Sequence, residues 1–551
     1  MKRAILILFI CFPVLAYAQA TERIYVSTDR DVYISGDDVW CSLFCIDKEK
    51  GCFSDFSAIA YLELISTEET AATAKIGLLN GRGAGKFRIP DKTPTGNYKL
   101  VAYTALNVNE NSRDFFAGAK TLSIFNTTST ARVSGGVNIV SEEVYPRAAQ
   151  PEDKASPNLS VSVTGAGKTK TLAITNHGPA ASVSLSVSLL DDIVPPANGG
   201  IASFLESIKA QPLPTYTQRR LPEYEGEIVY AAVEGMKKEG VQDLSGTAIA
   251  TLSCAGSPSD VYSGKVQDDG RILFFTNNIY GDHELVCDIS QDNGTGYISL
   301  LDNFLHPEPE PVPQLLLSRA LNSSLITRKA ALGIRPQADT LLTYLSRRQD
   351  GLLASMRTVS YHLDDYTRFN TLEEVIVEIV QELRLKKSRK GVSLEMTVQD
   401  PSTSKKTFKE NLLIMLDGVA LPSLSLIENI DAMLLEDIDL YTDSFAMGSV
   451  AFDGAVNFVT GKDYVTALHF PDRVRVADFK GVSYPVAYRG AFDGAAEKDL
   501  RQLLYWEPIL EIGEGETIRI PVKMPEYDGN FLFRIEGITE NGPGVEVTYR
   551  M

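Results

Sequence analysis

Five histidines stand far apart in this chain: His177, His283, His306, His362 and His469. No two share the i, i+4 spacing that puts paired imidazoles on one helix face, and none has a nearby cysteine to complete a zinc site. The sequence also lacks a G-x-S-x-G elbow, a Walker loop and a dinucleotide fingerprint. Asp29, Asp31, Asp37 and Asp38 bring carboxylates close together. Calcium needs six or more oxygens from a defined loop, and this spacing is not that of an EF-hand, so these aspartates read as turn formers. Gly81-Arg-Gly-Ala-Gly85 lies between strand-like segments with no helix to aim at an anion, and reads as a hairpin or bulge loop. Asp292-Asn-Gly294 is a turn signal. Any two of the 71 carboxylates could act as acid and base, but nothing in the sequence draws one pair together. The expectation is a non-enzyme with no catalytic residue, cofactor or metal site.

Residues 1–18 have the build of a secretory leader, with Lys2 and Arg3 ahead of an apolar run and Ala16-Tyr17-Ala18 as a cleavage site. Cys11 follows Ile10, where a lipid-anchored leader needs a small residue. No other stretch approaches 18 uncharged apolar residues, so no transmembrane segment is expected in the mature chain. Loss of Lys2 and Arg3 takes the formal charge from −18 to −20, which argues against nucleic acid as a partner. Five cysteines remain after cleavage: Cys41, Cys45, Cys52, Cys254 and Cys287. An odd number cannot all pair within one chain. Cys45–Cys52 and Cys254–Cys287 are conceivable bridges, but core packing is the simpler reading.

The elements that would carry these residues are mostly strands. Period-two alternation with turns every ~8–12 residues predicts a β-sandwich over 19–130. Its expected core includes Trp40, Phe44, Phe87, Ile89, Tyr98 and Leu100. Leu159, Val161 and Val163, with later alternations through Leu189, predict a second sandwich over 156–222 that ends in an irregular connector from Asp191 to Pro222. A third β unit spans 223–305. The run His306-Pro-Glu-Pro-Glu-Pro-Val-Pro313 is a stiff linker, and helical spacing at Leu317, Leu321, Leu325, Leu341 and Leu345 follows within 306–370. Thr371-Leu-Glu-Glu374 is a capping box that predicts a helix over 375–385, at the head of an α+β unit over 371–470. Residues 471–551 return to strand alternation. The fold class expected is mainly β and multidomain, with tandem sandwiches and one inserted α+β unit.

Leu412-Leu-Ile-Met-Leu-Asp-Gly-Val419, Ile427-Glu-Asn-Ile-Asp431 and the Gly-punctuated segment 448–462 resemble the plug domain of TonB-dependent outer-membrane receptors. Asp417, Gly418, Gly448, Gly454 and Asn457 carry that motif. A receptor barrel at ~10 residues per strand needs several hundred residues. Only 89 follow Lys462, so the resemblance implies a plug without a barrel. Its strands should then be covered by its own helices, over 375–385 and 427–435. The first unit resembles the second macroglobulin domain of alpha-2-macroglobulin-like proteins, through Asp29-Arg-Asp-Val-Tyr-Ile-Ser-Gly-Asp-Asp-Val-Trp40 and the segment Phe87 to Tyr103. The third resembles a carboxypeptidase-regulatory-like sandwich. The order of units is similar to that of a family of exported multidomain proteins. No mature cysteine has the Gly-Cys-Gly-Glu-Gln context of a macroglobulin thioester, which excludes covalent trapping. The resemblances imply a protein-binding or scaffolding role in the periplasm or at the outer membrane, beside TonB-linked machinery and with an envelope protein as partner. A macroglobulin-like endopeptidase inhibitor without a thioester, or an unrecognised hydrolase, is the alternative.

Overall fold

The computed structural model describes residues 21–551 apart from short stretches, chiefly 147–152, 255–260, 290–295, 346–352, 400–405, 462–467 and 492–498. The expected leader, Lys462 and the turn expected at Asp292-Asn-Gly294 lie outside the described residues. With 48% of residues in strands and 12% in helices, the chain is mainly β and built from several sheets.

The first sandwich orders its strands as Glu22–Thr28, Asp38–Asp47, Arg82–Arg88, Thr70–Leu79, Ile59–Ile65, Gly96–Tyr103, Lys120–Phe125 and Val32–Ile34. Alternation along Asp38–Asp47 puts Val39, Cys41, Leu43 and Cys45 into its core. Trp40 and Phe44 face the other way, contrary to the single core expected for them. Trp40 joins Tyr488, Leu503 and Trp506 from the tail, and Phe44 joins helix Ile201–Ala210. The strand is covered on both faces, so apolar residues occupy both parities and period two alone could not assign the sides.

That helix overturns the reading of 191–222 as wholly irregular. Ile201, Phe204, Leu205 and Ile208 fall at i, i+3, i+4 and i+7 and are buried. Flanking Gly and Pro residues obscure the pattern.

The larger correction concerns the second sandwich and the tail. Leu159–Thr164 and Thr169–Asn176 pair with Thr517–Lys523, while Ala181–Leu190 lies between Leu503–Ile512 and Asn530–Thr539, with Gly544–Arg550 at the edge. One core unites Leu172, Ile174, Val183 and Leu185 with Leu504, Ile520, Phe533 and Ile535. Segments 156–222 and 471–551 are therefore two parts of one body, because three strands from the first cannot close both sheets of a sandwich.

On the way to that body the tail visits the others. Arg475–Phe479 adds to the sheet Val261–Lys265, Ile249–Cys254, His283–Ile289 of the third sandwich, and Val482–Ser483 runs parallel to Lys75 and Ile76 in the first. Val486–Ala487 pairs with Asp339–Thr340. The facing sheet of the third sandwich is Arg271–Phe275, Ile228–Glu234, Tyr297–Leu300.

The α+β unit orders Thr358–His362, Leu435–Tyr441, Gly454–Thr460, Leu412–Leu416 and Val419–Ala420 in one sheet. Its helix is only Leu372–Glu378, capped by Thr371 and Glu374 as the capping box requires. Residues Leu383–Ser388 form a strand instead of the second half of a helix, paired with Gly391–Gln399. Leu383 and Leu385 alternate with Arg384 and Lys386, which is strand periodicity. The helix expected over 427–435 is replaced by short 3-10 turns, Leu424–Leu426 and Ala432–Leu434, before strand Leu435–Tyr441. In the linker region the one α-helix described is Asn322–Ala331, with Leu315–Leu317 extended and Leu342–Tyr344 a 3-10 turn.

Candidate protein-contact site

The Asp-Gly pair closes the tight hairpin between Leu412–Leu416 and Val419–Ala420. Both residues are left-handed, Asp417 at φ 49° and Gly418 at φ 80°, as a two-residue hairpin with the twist of its strands demands. The Gly418 N–H donates to Asn457 Oδ1 at 3.0 Å. Thr460 donates its backbone N–H and hydroxyl to the Asp417 carboxylate at 2.7 and 2.8 Å. Asp417, Gly418 and Asn457 thus form one polar knot that ties the turn to the neighbouring strand.

Gly454 begins that strand, and a Cβ there would sit 2.7 Å from the Tyr441 carbonyl oxygen. Gly448 lies farther off, after strand Phe445–Met447 of a hairpin with Val450–Phe452, at φ 55°. Replacing Gly418 by Val should cost about 1–3 kcal/mol, because a β-branched side chain is strained at positive φ. A urea titration of the purified protein checks this.

The knot's other side meets the third sandwich. Ala420 N–H donates to Ser253 Oγ at 3.0 Å, and Ser263 Oγ donates to the Met447 carbonyl at 2.6 Å. A Cβ on Gly448 would lie 2.5 Å from the Ser263 carbonyl oxygen, so this approach requires glycine. Beside it opens a cleft of about 500 Å3, lined by Tyr224, Val261, Tyr262, Phe275, Met447 and Gly448 among others. Tyr224 and Phe275 are 58% and 56% exposed at its mouth. Two walls are edge strands of opposite sheets, Val261–Lys265 and Arg271–Phe275. An edge strand flanked by exposed aromatics can take a further strand from an extended peptide. Of the motif residues only Gly448 reaches this cleft. Tyr224, Tyr262 and Phe275 were not singled out by sequence reasoning, because they come from segments distant in sequence.

The other candidates have structural partners. Asp29 accepts from Tyr33 and the Trp40 N–H, Asp31 pairs with Arg534, Asp37 caps Ile34 and Asp38 pairs with Lys86. Among the described residues no group of three or more His, Cys, Asp or Glu side chains is placed to hold a metal ion. Gly81 is in a turn at φ 74° before strand Arg82–Arg88. His177, His283, His306 and His362 bond to Ser160, the Tyr280 carbonyl, Asp302 and Asp437 respectively, four separate places. Cys41, Cys45, Cys52 and Cys287 are free thiols, of which only Cys52 is exposed, which corrects both conceivable bridges. Burial pushes the Cys41 and Cys45 thiols well up and Cys287 to about 12, so these behave as core atoms and not as nucleophiles. No helix among the described residues is long and apolar enough to cross a membrane.

No protein-family model and no curated protein matches the chain. Similar solved structures include alpha-2-macroglobulin of Salmonella reacted with methylamine, at 10% identity over 96% of this chain and 23% of that one, with TM-score 0.16. Trypsin-activated alpha-2-macroglobulin of Escherichia coli is 7% identical over 97% and 41%, with TM-score 0.23. Its native conformation is 9% identical over 97% and 40%, with TM-score 0.24. The chain spans less than half the length of each of these proteins. At similarity this low, the mainly β, multidomain assignment rests on the strand pairing itself.

Proposed function

We propose that this protein is a non-enzymatic scaffold of the cell envelope, exported by its leader to the periplasm or the outer membrane, which binds an extended segment of an envelope protein. The observation that carries the reading is the cleft at Gly448, where two edge strands and two exposed aromatics meet on a braced surface. Tyr224 and Phe275 would act as anchors, since exposed aromatics beside the outermost strands of two sheets suit partner side chains and backbone together. The plug-like unit supplies one wall through Met447 and Gly448, and an association with TonB-linked machinery would use that wall.

The test is site-specific photocrosslinking in intact envelopes, with a photoreactive residue at position 275 and a control at the exposed position 326. One dominant envelope protein should crosslink at 275 and not at 326, and the Tyr224→Ala change should reduce that adduct about tenfold or more. Equal patterns at the two positions would overturn the proposal.

A further inference from the structure

Behind the cleft, where the first and third sandwiches meet, two glutamates are buried with the same pattern of contacts. Glu223 Oε1 accepts from Tyr61 Oη at 2.8 Å and from the Ile228 N–H at 2.9 Å. Glu227 Oε1 is paired with Lys75 Nζ at 2.6 Å and accepts from Asn303 Nδ2 at 2.9 Å. In both residues Oε2 is buried and has no protein partner. Two carboxylates four residues apart, each with one doubly satisfied oxygen and one orphan, are not a stable charged arrangement. A buried acceptor without a donor costs free energy, and a second negative charge nearby raises that cost.

We propose that Glu223 and Glu227 share one proton between their Oε2 atoms, forming an acid–carboxylate latch between the two sandwiches that opens when the proton is lost. The proton makes one Oε2 a donor and the other its acceptor, which satisfies both orphans at once. The negative charge then left on the pair is the one that Lys75 balances. Tyr61 and Lys75 belong to the first sandwich, whereas Glu223, Glu227 and Asn303 belong to the third, so the proton holds a contact between bodies.

Arg220 is a second cation near the pair, and its charge draws Glu223 down against the larger effects of burial and of Glu227. Arg220 lies over the Tyr61 ring at 5.9 Å and donates to the Asn303 carbonyl, and the Tyr230 oxygen accepts from the Leu221 N–H. Lys75 also sits over the Phe479 ring at 4.1 Å, with Lys480 and Asp302 beyond it. Burial first, and the charge of Glu227 second, push Glu223 up to about 8.

A carboxyl raised in this way contributes stability that is complete below its ordinary range and is lost as pH rises through about 8. Above that pH the proton passes to water, two carboxylates face each other, and the junction between the sandwiches loosens beside the cleft that Glu223 also helps to line. Asp29, raised to about 6 by burial, titrates earlier and gives a separate step.

Infrared spectroscopy of the intact protein reads the shared proton directly. A carbonyl stretch of a protonated carboxyl should persist at pH 7, disappear near pH 8, and be missing at pH 7 from Glu223→Gln, whose amide can donate to Glu227 without titrating. In parallel melts the variant should gain several degrees on the wild type between pH 5 and pH 9. If the variant does not fold, the wild-type infrared titration decides alone. Absence of a protonated carboxyl at pH 7, or melting curves that stay parallel across this range, would overturn the proposal.

Discussion

Replacing Glu536 by Gln is expected to destabilise the protein by about 3–5 kcal/mol, because it removes one partner of a buried charge cluster and leaves the others uncompensated. Glu536 lies on strand Asn530–Thr539 of the second sandwich, yet its carboxylate accepts from Tyr25 and Ser27 of the first at 2.9 and 2.6 Å and pairs with Lys120 at 3.1 Å. On the same strand Arg534 reaches Asp31 at 2.8 Å and the Thr28 carbonyl at 3.0 Å. Burial opposes ionisation of Glu536, but Lys120 and Arg534 outweigh it and hold the carboxyl down to about 2. Its contribution is therefore present above the ordinary carboxyl range and is lost as pH falls toward 2. Denaturant titrations at pH 7 and pH 3 check both parts. The variant should lie far below the wild type at pH 7, and the gap should narrow at pH 3.

Trp506→Ala should cost about as much, roughly 3–5 kcal/mol, through the cavity left by a large buried ring. Trp506 is fully buried among Trp40, Val486, Tyr488 and Leu503, and its backbone exchanges two hydrogen bonds with Tyr488 at 2.7 and 2.8 Å. Trp40 comes from the first sandwich, so the loss is felt at the boundary between bodies. A thermal melt followed by near-ultraviolet circular dichroism would show it as a lower midpoint with weakened tryptophan signal. An unchanged midpoint would mean that this boundary contributes little.

Local chemistry was legible in the sequence wherever neighbouring residues decide it. The Asp417-Gly418 turn, the capping box at Thr371 and the strands of 21–125 follow from φ preferences, side-chain caps and period two. What escaped depends on partners distant in the chain. Nothing near Leu172 or Val183 says that Ile520 and Phe533 will complete their core. Glu536 looks like a surface residue on an alternating strand until Tyr25 and Lys120 are placed over it. Ile376, Ile379, Val380 and Leu383 continue the helical spacing, whereas Leu383 and Leu385 alternate as in a strand, and sheet pairing with Gly391–Gln399 chose the strand. Glu223 and Glu227 share the spacing of an ordinary helix face, yet the Gly226 that separates them marks a turn into strand Ile228–Glu234.

The threading of the tail through three sandwiches is what would brace the cleft as one surface. Hydrogen exchange of the intact protein, followed by mass spectrometry, tests it most directly. Residues 475–479 should exchange with the protection of 283–289, and residues 503–512 with that of 181–190, each tail strand following its host sheet. If 475–551 instead exchanged as one block, independently of both host strands, the tail would be a separate domain and the braced scaffold would be contradicted.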